Sequence, residues 1–279
     1  MTVVAIGTSG RHAIPSGFQR TWSLTRELAF TQFKLKYTGS VLGYVWSLAK
    51  PVMIFAIMYA VFSRLLRGAG TGPHFAFQLL LGIVIWNFFS ESISNATNVV
   101  ASNAGLIKKA FFPRATLVVA SSLSAFITFT INILLIVAIA TPFGQMELGW
   151  RSLAIFPLIF ELYLLILGLG MLLSSLFVFY RDIGHIWEVT SQAMFYASAV
   201  VFPLSSTFLS TRDRQILALN PVAQIIEDSR HALVTPKALW TVNILPSWTA
   251  AIPLLVVLLS VAVGYRVFQR LSPRFAEYL

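Results

Sequence analysis

Glu91, Glu161 and His185 are titratable side chains standing in or beside strongly apolar segments of this sequence. Together they offer the raw material for relaying a proton. An ionised group in such surroundings is costly unless it reaches water or a partner, so acids of this kind often mark ion pathways. Two isolated acids do not establish a relay, however, and His185 has neither a nucleophile nor a ligand cluster nearby. His12, His74 and His231 fall in separate regions. There is no G-x-x-x-x-G-K-[ST] nucleotide loop, no His-Glu-x-x-His metal site and no carboxylate pair at glycosidase spacing. Cysteine is absent, which removes disulfides and thiolate metal sites. No catalytic residue and no metal ligand is therefore assigned.

The elements carrying these residues are overwhelmingly apolar. Of 279 residues, 57% are hydrophobic and only ten are acidic, while the twenty Lys and Arg cluster at the ends of the apolar runs. That pattern describes membrane-flanking charge rather than a nucleic-acid-binding surface. Six stretches of spanning length, at about 43–63, 75–95, 115–140, 153–179, 187–207 and 248–268, predict an all-α polytopic membrane protein with six transmembrane helices. They leave no room for a separate soluble catalytic domain. Residues 1–19 lack an apolar core and cleavage site, so they are read as a cytoplasmic tail rather than a cleaved signal. Residues 20–270 form the membrane domain and 271–279 a cytoplasmic C-terminal tail. More of the Lys and Arg fall inside than outside when both termini are cytoplasmic, which favours that orientation.

Between the spans, several segments have a character of their own. Residues 20–36 mix Trp22, Phe30 and Phe33 with Arg26, Lys34 and Lys36, predicting an amphipathic helix along the bilayer surface. Tyr37, Tyr44 and Trp46 continue this aromatic cluster; such rings anchor at interfaces, and their faces also suit a sugar. In 98–114, Leu106, Ile107, Phe111 and Phe112 sit beside Lys108, Lys109 and Arg114, giving either a short cytoplasmic connector or a compact docking surface. Arg181 and Asp182 fix a helix end at the inner boundary. Before the last span, Asn220 caps a helix that Pro221 starts. Short external or re-entrant helices follow, on which Glu227, Asp228 and Arg230 form a surface salt network or touch cargo.

The stretches Phe33 to Pro51, Lys108 to Arg114, Tyr180 to Gly184 and Asn220-Pro221, in this order, closely resemble the ABC-2 type polysaccharide and polyol-phosphate export permeases. The resemblance covers about residues 20–270. It implies a homodimer of permeases joined to two separate ATPase subunits in the bacterial cytoplasmic membrane. The cargo it implies is a polyprenyl-pyrophosphate-linked glycan, such as O-antigen, teichoic acid or a cell-wall precursor. On that footing the chain binds no cofactor itself, and ATP and Mg belong to the partner. The 20–36 helix with Arg26 becomes a gate or interface element, bounded on the cytoplasmic side also by Arg181 and Asp182. Leu106 to Arg114 become the coupling segment entering an ATPase groove, and Lys34, Lys36, Tyr37, Tyr44 and Trp46 line the cargo's entrance. The external helices shape its exit. Ala199 stands where such permeases often carry proline, implying a softer or displaced bend in the fifth span.

An ion-driven transporter working without an ATPase is the alternative that Glu91, Glu161 and His185 leave open. A purely structural membrane scaffold is a third.

Overall fold

The computed structural model describes residues 17–39, 43, 45–62, 74–109, 113–206, 209–246 and 248–279. The chain is helical throughout this range. α1 (Gly17–Tyr37) and α2 (Val45–Ala60) precede a long α3 (Phe75–Ser102), a single-turn α4 (Ala104–Lys109) and α5 (Ala115–Ala140). A 3-10 turn at Trp150–Ala154 leads into α6 (Ile155–Phe179), followed by α7 (Ile183–Ala197). Three short helices, α8 (Thr211–Ala218), α9 (Pro221–Leu233) and α10 (Thr241–Ile244), come before α11 (Ile252–Leu271) and a terminal turn α12 (Phe275–Tyr278).

Among the described residues, four helical stretches are long and apolar enough to cross a membrane: Phe75–Ser102, Ala115–Ala140, Trp150–Phe179 and Ile252–Tyr278. The expectation of six is therefore corrected. The first expected span becomes α2, with 16 residues. The fifth becomes α7, with 15. At 1.5 Å per residue these reach about 24 and 22 Å, short of a hydrocarbon layer about 30 Å thick. Apolar composition does not guarantee helical continuity. The 187–207 run is apolar from Ala193 to Leu204 apart from Ser198, yet its helix stops at Ala197 and the backbone turns at Ala199, which has φ +52°. The expected soft bend is thus a break, made by a left-handed non-glycine residue.

α3 forms the centre. It packs against α2, α5, α6, α7 and α9, and buries Leu79, Leu81, Ile83, Phe89 and Ile93 completely. α1 lies against α5, turning Thr25 and Ala29 inward while Trp22, Phe30 and Leu35 stay exposed. A second apolar cluster joins Ile107 of α4 to Val178 of α6, Phe268 of α11 and Phe275 of α12. α11 otherwise presents an open apolar face, including Leu255, Leu258 and Leu259. That distribution suits a helix with lipid on one side and protein on the other.

α6 and α11 make the closest helix contact. A Cβ on Gly264 would stand 2.0 Å from the Gly168 carbonyl oxygen, and one on Gly168 would stand 2.6 Å from the Ser260 carbonyl carbon. The two backbones touch with no side chain between them, the kind of packing small residues permit where lipid offers no hydrophobic drive for helix association. Gly264→Ala is expected to lower stability by about 1–3 kcal/mol through overpacking. A thermal unfolding series in detergent should show a reduced midpoint for this variant, and a near wild-type midpoint for Leu259→Ala at the exposed face.

Candidate functional site

Polar residues of α3 recur at helical spacing. Asn87, Ser90, Glu91, Ser94, Asn95 and Asn98 fall on one face of an otherwise apolar helix, a stripe about 16 Å long. Some of its polar groups are satisfied within the helix: Ser94 Oγ donates to the Ser90 carbonyl at 2.8 Å and Asn98 Nδ2 to that of Ser94 at 3.1 Å. Ser94 Oγ also accepts from the Trp187 indole N–H at 2.9 Å, tying α7 to α3.

On one side of the stripe, α2, α3, α5 and the end of α1 enclose a cavity of about 530 Å³. α2 contributes Trp46, Ser47 and Lys50. α3 supplies Asn87 and Phe88, and α5 supplies Thr128 and Asn132. Lys36 of α1 reaches across to an ion pair with Glu91 of α3 on the cavity wall. On the other side, two smaller grooves of about 340 and 390 Å³ separate α3 from α7; Ser94 and Trp187 line one, Ser90 and Tyr196 the other. A polar wall flanked by aromatic rings offers hydrogen bonds to hydroxyls and flat faces to rings.

At the opposite end of α3 lies a fully buried ion pair. Arg230 and Glu227 of α9 are both 0% exposed, with Arg230 Nη1 3.0 Å from Glu227 Oε2. The guanidinium also donates to three backbone carbonyls: Gln78 at 3.1 Å, Ala199 at 2.8 Å and Val200 at 2.7 Å. Glu227 Oε2 also accepts from the Leu204 amide at 3.1 Å. Burial pushes the Glu227 carboxyl up and the Arg230 guanidinium down, and each is opposed by its partner. Arginine holds its proton even when buried, so the guanidinium is charged where it meets Glu227. Asp228 accepts from the Thr241 amide at 2.7 Å and from Gln224 Nε2 at 2.9 Å, and burial raises it. At the surface, Asp213 caps α8, accepting from the Ser210 hydroxyl and amide. Those bonds hold its carboxyl below the usual range.

The residues singled out from the sequence scatter across this framework. Lys36 and Trp46 reach the cavity, while Lys34 is exposed on α1. Tyr44, Phe111 and Phe112 lie outside the described residues, as do the side chains of Tyr37 and Lys109. Leu106 and Lys108 face outward, but Ile107 turns into the second apolar cluster and is unavailable for docking. Arg114 is half-buried immediately before α5. Arg26 is exposed beside Glu27. Arg181 stacks over the Phe177 ring at 5.0 Å, and Asp182 precedes α7 without a side-chain cap. Asn220 Oδ1 accepts from the Val222 amide at 3.0 Å, with Pro221 opening α9. Glu227, Asp228 and Arg230 sit inside the protein rather than in a surface network. Sequence reasoning missed the stripe and Thr128 and Asn132; the signal for the stripe was polar recurrence every three or four residues through an apolar run.

The three groups that left a proton relay open do not meet. Glu91 pairs with Lys36, His185 stands 3.9 Å from Glu188, and Glu161 faces Gln224 and Asp228. Among the described residues, no cluster of His, Cys, Asp or Glu could hold a metal ion.

These features define a helical membrane protein of the transporter class, with a polar wall built into its central helix. The chain belongs to the ABC-2 type transporter family, whose pattern matches residues 23–234. It is accordingly a membrane permease rather than an enzyme. It is 27% identical to the O-antigen export system permease protein RfbA of Klebsiella pneumoniae over 251 residues, covering 88% of this chain and 91% of that one. Against the protein of the same name from Myxococcus xanthus, identity is 26% over 196 residues, or 70% of this chain and 74% of the relative. The polysialic acid transport protein KpsM of Escherichia coli is 22% identical over 228 residues, 78% and 84% of the two chains.

Removing one member of a buried ion pair leaves a charge without compensation, at a cost of about 3–5 kcal/mol. Glu227→Leu is therefore expected to lower thermal stability sharply. Glu227→Leu combined with Arg230→Met should cost less than the sum of the single changes, by about 1 kcal/mol or more in a double-mutant cycle. Additive losses would show that the two side chains are not coupled.

Proposed function

We propose that this chain is the permease subunit of an ATP-driven exporter that moves a polyprenyl-pyrophosphate-linked polysaccharide, or a related cell-surface glycan precursor, across the bacterial cytoplasmic membrane. The observation carrying this reading is near full-length similarity to O-antigen export permeases, within a family already fixed by residues 23–234. The polar and aromatic wall along α3 supports it, because a hydrated polymer needs hydroxyl partners and ring faces where a lipid-facing helix needs neither.

In this reading two copies of the chain assemble with two ATPase subunits, which bind on the side of the membrane where α4 lies. ATP and Mg are used by the ATPases. Residues 20–270 are the transport domain, flanked by 1–19 and 271–279. Lys34, Lys36 and Trp46, with Tyr37 and Tyr44, line the cargo's entrance, where Lys34, exposed and outside the Lys36–Glu91 ion pair, offers its phosphates a point charge. The α4 segment transmits ATP-driven movement, with Leu106, Lys108, Lys109, Phe111, Phe112 and Arg114 meeting the ATPase and Ile107 anchoring the segment from within. Arg26, Arg181 and Asp182 bound the cytoplasmic gate. Asn220, Pro221, Glu227, Asp228 and Arg230 act by building the external helices, a structural task that suits their burial and hydrogen bonds.

Proteoliposomes carrying the permease with its cognate ATPase should export lipid-linked glycan only with ATP. Transport driven by a proton gradient without the ATPase would reject the proposal. Replacing Phe111 and Phe112 together by alanine should weaken ATPase association about tenfold, as expected for truncation of aromatic interface anchors. Arg114→Glu should uncouple hydrolysis from substrate more than it weakens binding. Co-purification and substrate-stimulated ATPase rates measure the two effects. Wild-type behaviour in both variants would overturn the docking assignment.

A further inference from the structure

We infer that the cavity enclosed by α2, α3 and α5 is a saccharide subsite taking a neutral, hydroxyl-rich ring, with Asn87, Thr128 and Asn132 as its specificity-determining residues. This inference deepens the glycan-export reading and rests on it.

Three buried polar groups on the cavity lining have no partner among the described residues. Thr128 is 6% exposed, and its hydroxyl makes no hydrogen bond. Elsewhere on the same helix Thr130 donates to the carbonyl four residues back at 2.9 Å, as Thr141 does just past its end at 2.7 Å. That is the usual way a helical threonine satisfies itself in apolar surroundings. Asn132 is 5% exposed; its Nδ2 donates to the Ser47 carbonyl at 3.3 Å, leaving Oδ1 without a donor. Asn87 Nδ2 is a buried donor without an acceptor. Unsatisfied groups of this kind are rare in folded proteins and call for a specific explanation.

Their chemistry defines what would satisfy them. Asn87 Nδ2 donates, Asn132 Oδ1 accepts, and the Thr128 hydroxyl does either. A sugar hydroxyl both donates and accepts, so neighbouring hydroxyls of one ring match the set. A phosphate offers acceptors alone and leaves Asn132 Oδ1 unmet. Among the described lining residues Lys36 is paired with Glu91, and Lys50, an exposed side chain, is the one cation outside an ion pair. Trp46 adds a half-open indole face at the same cavity, and a volume of about 530 Å³ lies in the usual range for small-molecule sites. The contrast within the molecule is informative. A second cavity of about 550 Å³ between α5 and α6 is lined almost wholly by aliphatic and aromatic side chains.

The test uses the full permease with its ATPase in nanodiscs. The probe is oligosaccharide released by mild acid from the host's own lipid-linked glycan pool, with binding measured in the absence of ATP. Saturable binding is expected, weakened about tenfold by Thr128→Val and by Asn132→Leu and largely retained in Thr128→Ser, which restores the hydroxyl. Inorganic pyrophosphate at the same concentration should not compete. No binding, wild-type binding in both the Thr128→Val and Asn132→Leu variants, or displacement by pyrophosphate would overturn the assignment. Thermal midpoints matching the parent protein verify that the variants fold. ATP-driven export by the parent protein with unchanged binding in the variants sinks the subsite alone, whereas failure of the parent protein to export glycan sinks the broader reading.

Discussion

One guanidinium organises the end of the helical bundle opposite α4. Arg230 is withdrawn entirely from solvent, yet each of its three nitrogens donates: to a carboxylate on its own helix, to the Gln78 carbonyl of α3, and to two carbonyls of the turn after α7. A buried charge is tolerated only when its partners are all in place, so these segments are fixed together or not at all. The constraint extends to α3. A Cβ on Gly82 would stand 2.8 Å from Arg230 Nη2 and 2.9 Å from the Val200 carbonyl oxygen, so the glycine leaves the volume that the guanidinium fills. The left-handed backbone of Ala199 belongs to the same arrangement, since it turns that residue's carbonyl and the next toward Arg230.

α3 is thereby held at its N-terminal end by charge and along its length by apolar packing. Its polar stripe divides into two kinds of group. Ser94 and Asn98 bond back to their own helix, which lets them stand in a membrane-crossing element at little cost. Asn87 does not, and it faces the same cavity as the unpaired groups of Thr128 and Asn132 on α5. The unsatisfied polarity of the membrane region is therefore partly concentrated at one cavity.

Much of the local architecture was legible in the sequence. The aromatic and basic alternation of 20–36 corresponds to α1, and Asn220-Pro221 marks the start of α9, because capping chemistry acts over a few residues. Long-range geometry was not legible. Hydropathy registers the apolar run at 187–207 but not the turn at Ala199 that ends its helix, since that turn depends on Arg230 some thirty residues away. For the same reason Glu227, Asp228 and Arg230 read as surface charges: nothing local announces that α3, α6 and the turn after α7 will surround them. Ile107 looked like part of an exposed apolar face, but α12 covers it from the far end of the chain.

The contact between Gly168 and Gly264 has a mechanical consequence. Side chains between helices can change rotamer and re-pack as the helices slide, and here that layer is missing at the crossing point. α6 and α11 therefore bear load as a single beam. Compliance must come from elsewhere, and α7 supplies it: the helix is short, its outer face with Ile186, Val189 and Tyr196 is uncovered, and among the described residues it meets α3 through one side-chain hydrogen bond, from Trp187 to Ser94, and through ring contacts of Trp187 with Phe89 and of Phe195 with Trp86. A stiff pair on one side of the central helix and a lightly tethered helix on the other give the molecule a built-in direction of yielding, along the grooves that line the polar face of α3.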